Sequence, residues 1–155
     1  FSTLSDEDRN LARNSLFLGI VMRDQQEVYE HGDFLIRRIL GVEPDVQGIA
    51  VDARLNPGDI IQFHLRDAHT SAEDLKEMLS RHQYGSPEGA LLLSCMGRGQ
   101  GLYGEPNHDT KLFHDVMGPV PMAGFFGNGE IGPIQGQTFL HTYTSALALF
   151  RPKHP

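Results

Sequence analysis

The sequence Ala90-Leu91-Leu92-Leu93 is the most apolar run of the chain, and Cys95-Met96-Gly97-Arg98-Gly99-Gln100-Gly101 follows it. Because residues 90–93 are apolar at successive positions, the stretch 89–95 is predicted to be a central strand covered on both faces. The glycines then predict a loop, and Glu105-Pro106-Asn107-His108-Asp109 predicts the start of a helix. A buried strand, a glycine-rich loop and a helix in this order are typical of an architecture that carries a site.

Outward from this stretch, turn signals and periodicity divide the chain into short elements. Ser5 with Asp8, and Ser71 with Asp74, have the spacing of capping boxes at the start of helices. The helices are predicted at 5–13, at 70–79 with an apolar face of Leu75, Met78 and Leu79, and at 107–117. The strands are predicted at 17–22, 34–40, 48–51, 60–65, 89–95, 120–126 and, as one long closing strand, 138–150.

Together these elements predict a mixed α/β fold. We expect a single mixed, largely antiparallel sheet with two main helices packed on it and a short N-terminal helix. The length of 155 residues fits one domain, with 1–15 as a helical lead-in and 151–155 as a polar tail.

Charge and composition exclude several classes of protein. A formal net charge of -7 without a basic cluster argues against nucleic-acid binding. No apolar run reaches the roughly 18 to 20 residues of a membrane span, so we expect no membrane partner. The single cysteine excludes an internal disulfide framework and favours a cytoplasmic location.

The first glycine-rich loop has the features of an anion cradle. Gly97, Gly99 and Gly101 allow backbone N–H groups to converge, and Arg98 adds a planar cation suited to carboxylate or phosphate. The spacing matches neither the phosphate-binding P-loop nor the dinucleotide fingerprint. A purely structural turn is an equally open interpretation.

Cys95 at the end of the apolar strand has two interpretations. Arg98 and a following helix start both favour the thiolate, so Cys95 is a candidate nucleophile. A lone cysteine at the end of an apolar strand is more often a small buried hydrophobe. The histidine groupings around positions 64–69 and 108–114 reproduce no known ligand spacing, so we predict no metal site and no cofactor.

A second glycine-rich loop is predicted at 127–133, and it holds Glu130 between Gly129 and Ile131. If the two loops meet at one edge of the sheet, Arg98 would hold a carboxylate and Glu130 an ammonium group. That polarity fits a free amino acid.

The motifs of both loops resemble the C-terminal half of the FIST sensory module, named for F-box and intracellular signal transduction proteins. The resemblance runs from about Leu16 to Phe150. It rests on the combination of Cys95-Met96-Gly97-Arg98-Gly99 with Gly124-Phe125-Phe126-Gly127-Asn128-Gly129-Glu130-Ile131. The motif positions that carry over are Cys95, Gly97, Arg98, Gly99, Glu105, Pro106, Gly124, Phe125, Gly129 and Glu130.

The resemblance implies a sensory domain that binds small ligands and has no enzymatic activity. It also implies a partner half, an N-terminal FIST region or a signalling output domain in a longer protein. We therefore predict a small amino-acid-like zwitterion or anion as ligand. The predicted ligand-binding residues are Cys95, Gly97, Arg98, Gly99, Asn107, Asn128, Gly129 and Glu130. The alternatives are a thiol enzyme with Cys95 as nucleophile and a protein-interaction scaffold that recruits substrates in an F-box context.

Overall fold

The computed structural model describes residues 3–22, 27–81, 87–134 and 136–153. It divides into two compact units, Phe1–Asp67 (the N-terminal unit) and Ala68–Pro155 (the C-terminal unit). In chain order the elements are α1 Asp6–Ser15, β1 Leu16–Val21, β2 Phe34–Glu43, β3 Gly48–Val51, β4 Ile61–Leu65, α2 Ala68–Arg81, β5 Gly89–Cys95, α3 Gln100–Tyr103, α4 His108–Met117, β6 Met122–Gly127, β7 Glu130–Ile134, β8 Gln137–His141 and β9 Ser145–Phe150. Most strand pairs of the described residues are antiparallel, which confirms the predicted mixed α/β class.

The N-terminal unit is one helix and a four-stranded antiparallel sheet. Ser5 is the N-cap of α1. Its Oγ accepts a hydrogen bond from the backbone N–H of Asp8 at 3.0 Å, as the capping-box spacing predicts. The strand order is β3-β2-β1-β4. The consecutive strands β1 to β3 form an antiparallel meander, and β4 pairs with β1 rather than with β3.

The C-terminal unit is built on β5, which pairs with β6 in parallel and with β9 antiparallel. Its core joins Leu75 and Leu79 of α2 to Phe113 of α4, Ala90 of β5 and Val120. Leu79 is 1% exposed and Phe113 is fully buried. Side chains of this size contribute about 1.5–3 kcal/mol each when fully buried. The core therefore holds α2 and α4 against one face of the sheet.

The predicted single sheet is wrong. The strands of the described residues form three sheets, with orders β3-β2-β1-β4, β6-β5-β9 and β7-β8. The central strand β5 pairs on one side with β6 and on the other with β9, and both follow it in the sequence. Both edges of β5 are therefore hydrogen-bonded within the C-terminal unit.

Two further predictions fail for one shared cause. The stretch 127–133 is largely a strand rather than a loop, and 138–150 is two strands rather than one. Both follow because β8 pairs with β7, as in the register Glu130↔His141, instead of with β5. Tyr143, at φ +63°, lies between β8 and β9, where the chain changes partner.

The strand β5 is central in its sheet as predicted, but only one of its faces is covered by helices. Ala90, Leu92 and Ser94 are buried beneath them, whereas Leu91 on the opposite face is 39% exposed. The expectation of cover on both faces is thus wrong for the described residues. Residues 82–86 lie outside the described part of the chain. In the described part of the chain no helix is both long and apolar enough to cross a bilayer.

Candidate functional site

Arg98 and Asp109 form a buried ion pair in the C-terminal unit. Arg98 Nε donates to Asp109 Oδ2 at 2.8 Å, and Nη2 donates to Oδ1 at 3.2 Å. Each residue is only 6% exposed. Two parallel N–H···O contacts of this kind fix the planes of both groups relative to each other.

Four hydroxyl groups complete this arrangement, which we call the Arg98–Asp109 network. Arg98 Nη1 donates to Ser71 Oγ at 2.8 Å, and Nη2 donates to Tyr103 Oη at 2.7 Å. The hydroxyls of Ser94 and Ser145 each lie 3.2 Å from Asp109 Oδ2 and donate to it. The network therefore connects α2, β5, the 3-10 turn Met96–Arg98, α3, α4 and β9.

The hydrogen bonds and opposite charges of the pair keep both groups ionised despite their burial. Burial alone would lower the pKa of Arg98, but the hydrogen bond and charge of Asp109 raise that pKa above its ordinary value. Burial alone would raise the pKa of Asp109, but Arg98 holds it below the ordinary value of a carboxyl group. Both groups are therefore charged at neutral pH, and their charges cancel.

Tyr103 and His108 add an aromatic stack beside the network. Their ring centroids lie 3.7 Å apart, and the rings are inclined by 9°. The guanidinium carbon of Arg98 lies 5.7 Å from the centroid of the Tyr103 ring. Burial is the main cause of a raised pKa at Tyr103, so its hydroxyl stays protonated. The stack holds the first residue of α4 in place.

A cleft of about 380 Å³ lies between α4 and β6, and Ser94, Arg98 and Asp109 of the Arg98–Asp109 network are part of its lining. It is apolar along the sheet and polar along the helix. The apolar lining includes Leu92, Met122 and Phe126, and the polar lining includes Asn107, His108, Thr110 and His114. The volume is within the range of small-molecule sites in proteins.

The N-terminus of α4 borders this cleft. Asn107 precedes the helix with φ +61°, and its side chain makes no capping hydrogen bond. The N–H groups in the first turn of a helix have no partner within the helix, and they carry a partial positive charge. Because the charges of Arg98 and Asp109 cancel, the partial positive charge of the helix end is the feature of this part of the cleft that favours an anion.

The structure brings three of the eight predicted ligand-binding residues into the cleft, namely Arg98, Gly99 and Asn107. Cys95 has a free thiol, is 6% exposed and is not part of the lining. Gly97, Asn128 and Gly129 also lie outside the lining. A binding role for any of the eight stays a prediction.

Glu130 lies at the start of β7, outside the lining of the cleft. Its Oε2 accepts a hydrogen bond from Thr144 Oγ1 at 2.7 Å, while Oε1 is buried and has no hydrogen-bond partner among the described residues. The pairing of Arg98 and Glu130 around one zwitterion stays a prediction, and the cleft between α4 and β6 does not contain both. Among the described residues no group of three or more acidic, histidine or cysteine side chains could hold a metal ion.

Sequence reasoning missed the partners of Arg98. The spacing predicts Ser71 as a helix cap and places Asp109 only at the start of a helix, but Ser71 lies inside α2 and Asp109 lies in the first turn of α4. One signal was available in Ser94, a polar residue on the buried face of an otherwise apolar strand. A buried arginine also requires a carboxylate, and Asp109 is the acidic residue in the first turn of α4.

The chain belongs to the FIST C domain family, whose model matches residues 2–133. This is a family of signal-transduction sensory domains. An uncharacterized protein of Mycobacterium tuberculosis is 37% identical over 150 residues, which cover 95% of this chain and 39% of that protein. A second uncharacterized protein, of Mycobacterium bovis, is 39% identical with the same coverage. The chain therefore spans about two fifths of the length of these curated relatives.

Two eukaryotic relatives are F-box proteins. An F-box/LRR-repeat protein of Arabidopsis thaliana is 30% identical over 127 residues, covering 68% of this chain and 24% of that protein. F-box only protein 22 of Homo sapiens is 31% identical over 75 residues, covering 38% of this chain and 19% of that protein. No solved structure matches the chain.

Proposed function

We propose that this chain binds a small anion or zwitterion in the cleft between α4 and β6, as the sensing part of a signal-transduction protein. The observation that carries the proposal is the position of the cleft at the uncapped N-terminus of α4. The first-turn N–H groups would bind a carboxylate, which the helix dipole also favours. The apolar body of the ligand would lie along Phe126 and Met122.

In this proposal Arg98 has a different role from the predicted one. Its N–H groups are used by Asp109, Ser71 and Tyr103, so it holds the lining of the cleft in shape rather than binding the carboxylate itself. A site held rigid before binding loses less conformational entropy when the ligand enters. Because the Arg98–Asp109 pair has no net charge, the N-terminus of α4 would determine that the cleft prefers an anionic group on the ligand.

The burial of Cys95 speaks against the thiol-enzyme alternative, because a nucleophile must reach its substrate. A cytoplasmic setting is part of the proposal, since a single free cysteine is compatible with a reducing compartment.

The test is a thermal-shift screen of amino acids and short carboxylic acids, followed by calorimetry on every compound that shifts the transition. A ligand at a hundred times its Kd adds about 2.7 kcal/mol to stability. For a chain of this size that is a rise in Tm of roughly 5–10 °C.

Two phenylalanines offer a matched pair of variants for this screen. Phe126 lines the cleft, Phe150 does not, and both are 54% exposed. Phe126→Ala should weaken binding about tenfold or more, the loss of roughly 1.4 kcal/mol of apolar contact. Phe150→Ala should leave Kd within about twofold. The proposal fails if no compound shifts Tm, or if both variants weaken binding equally.

A further inference from the structure

His108, the first residue of α4, has a ring that is held on two sides. One face stacks on the ring of Tyr103, with the centroids 3.7 Å apart, and Nδ1 lies 3.4 Å from Asp109 Oδ1. The side chain is 20% exposed and belongs to the lining of the cleft between α4 and β6. The imidazole therefore meets the cleft in one orientation.

The contact with Asp109 fixes which ring nitrogen carries the proton. Asp109 is ionised, and an ionised carboxylate only accepts hydrogen bonds, so the proton between the two groups belongs to Nδ1 of His108. A neutral imidazole has one N–H, and its other nitrogen is an acceptor. In the neutral ring of His108, Nε2 is therefore an acceptor.

This acceptor is available to a ligand. Nε2 of His108 has no hydrogen-bond partner among the described residues, and it is not one of their buried unpaired atoms. The backbone N–H groups in the first turn of α4 lie beside this residue, and they only donate. The cleft therefore has donors and an acceptor next to each other at the start of this helix.

A second imidazole in the lining, that of His114, does not duplicate this acceptor. Its Nε2 lies 3.1 Å from the carbonyl oxygen of Val120, which requires Nε2 to donate. His114 is also six positions further along α4, or about 9 Å at about 1.5 Å per residue. A group next to a carboxylate at the helix N-terminus therefore meets His108 and not His114.

We propose that His108 determines specificity in the cleft, and that the ligand has an O–H or N–H donor on the carbon next to its carboxylate. The inference rests on the proposed ligand site and names the class of ligand, an α-hydroxy or α-amino acid. The carboxylate accepts from the first-turn N–H groups while the neighbouring donor bonds to Nε2 of His108. An acid without the donor leaves Nε2 unpaired, and an α-oxo acid sets a second acceptor against it.

Three acids with one carbon skeleton test this assignment. The probes are isocaproate, its hydroxy acid leucate and its oxo acid ketoisocaproate, and calorimetry at about pH 8 gives their Kd values where histidine is neutral. Leucate should bind at least about tenfold more tightly than either of the others. In His108→Phe, which keeps an aromatic ring against Tyr103, the three Kd values should lie within about threefold of one another.

The matched control is His69→Phe, because His69 lies on α2 outside the lining and its side chain is 82% exposed. This variant should keep the wild-type preference for leucate. A merely structural role of His108 would weaken all three acids alike and leave their ratios unchanged. Equal affinity of the wild type for the three acids, or a preference that survives in His108→Phe, overturns the role of His108 and leaves the proposed ligand site intact. Absence of binding by all three contradicts the proposed site as well.

Nitrogen NMR of the wild-type chain tests the same assignment without relying on a variant. At about pH 8 the ring of His108 should be the Nδ1–H tautomer with an unprotonated Nε2, and leucate should shift the Nε2 resonance. An Nε2–H tautomer or a charged ring overturns the proposal whether or not His108→Phe folds.

Discussion

Arg98 and Asp109 are separated by a single turn and a short helix in the sequence, yet their side chains meet in two parallel contacts, Nε to Oδ2 at 2.8 Å and Nη2 to Oδ1 at 3.2 Å. The pair joins the glycine-rich stretch to the first turn of α4. Arg98 and Asp109 both line the cleft. Their contact therefore connects the fold of the C-terminal unit to its proposed ligand site.

Arg98→Ala should destabilise the protein by about 3–5 kcal/mol, because it leaves the carboxylate of Asp109 buried without its cation. Urea unfolding provides the measurement. Arg38 and Asp52 form a matched control pair at 3.1 Å with both side chains more than half exposed. Arg38→Ala should cost less than about 1 kcal/mol. Equal losses in the two variants would contradict the assigned role of the buried pair.

The Arg98–Asp109 pair should make the free energy of unfolding depend on pH in the acid range. The pKa of Asp109 is lowered in the folded state, so below about pH 4 the unfolded chain binds a proton that the folded chain does not. The contribution is complete above the unfolded pKa and is lost as pH falls through the folded pKa.

Asp109→Asn removes this titration. The free-energy difference between wild type and Asp109→Asn, measured by urea unfolding from pH 6 down to pH 2.5, should therefore shrink below about pH 4. Parallel curves over the whole range would show that Asp109 does not titrate in this way.

Local sequence patterns predict the individual helices and strands of this fold better than they predict which strands pair. The Ser5 cap, the apolar spacing of Leu75 and Leu79 and the apolar run of β5 are short-range signals, and the structure confirms all three. Which strands pair depends on contacts between distant residues. The turn near Tyr143 redirects the chain from the β7–β8 hairpin to β5, and a non-glycine residue at positive φ gives little warning in a sequence.

In the candidate site, too, the sequence indicates local features but not the contacts between distant residues. The sequence marks the glycine-rich stretch and Arg98 as a feature, but the side-chain partners of Arg98 come from α2, α3 and α4, up to 27 positions away. Sequence spacing cannot show that Ser71, apparently a helix cap, is placed inside its helix beside a guanidinium group. The family motif joined the two glycine-rich stretches, whereas the cleft contains residues from only the first of them together with β6.

His64 should give the N-terminal unit a second pH dependence near neutrality. Its imidazole lies over Gly19 and against the ring of Phe34, with centroids 4.6 Å apart. Nε2 is buried and has no hydrogen-bond partner among the described residues. Burial, and then the charge of His31, lower the pKa of His64. The folded state therefore favours the neutral ring.

The contribution of His64 to the free energy of unfolding is complete above the pKa that its imidazole has in the unfolded chain, about 6.5. It is lost as the pH falls from there through the lower pKa of the folded state. Wild type should lose stability between about pH 7 and pH 5, and His64→Gln should lose less over that interval. An NMR titration provides an independent measurement, because His31→Gln should raise the pKa of His64 toward its ordinary value. A His64 pKa at or above that of a free histidine would contradict the interpretation.

Gly124 should tolerate replacement poorly. A Cβ atom at this position would stand 1.8 Å from the carbonyl oxygen of Leu92, its partner in the parallel β5–β6 pair. Since that atom belongs to the backbone, relief requires the two strands to separate. Gly124→Ala should therefore cost about 3 kcal/mol or more and open the sheet beside the cleft.

Gly101 is the matched control, because a Cβ there meets nothing within 4 Å and the residue lies in the short helix α3. Gly101→Ala should be neutral or stabilising by up to about 1 kcal/mol, since alanine is the better helix former and restricts the unfolded chain. Urea midpoints of the two variants measure the contrast directly. If Gly124→Ala unfolds at the wild-type midpoint, β6 does not approach β5 as closely as the structure places it.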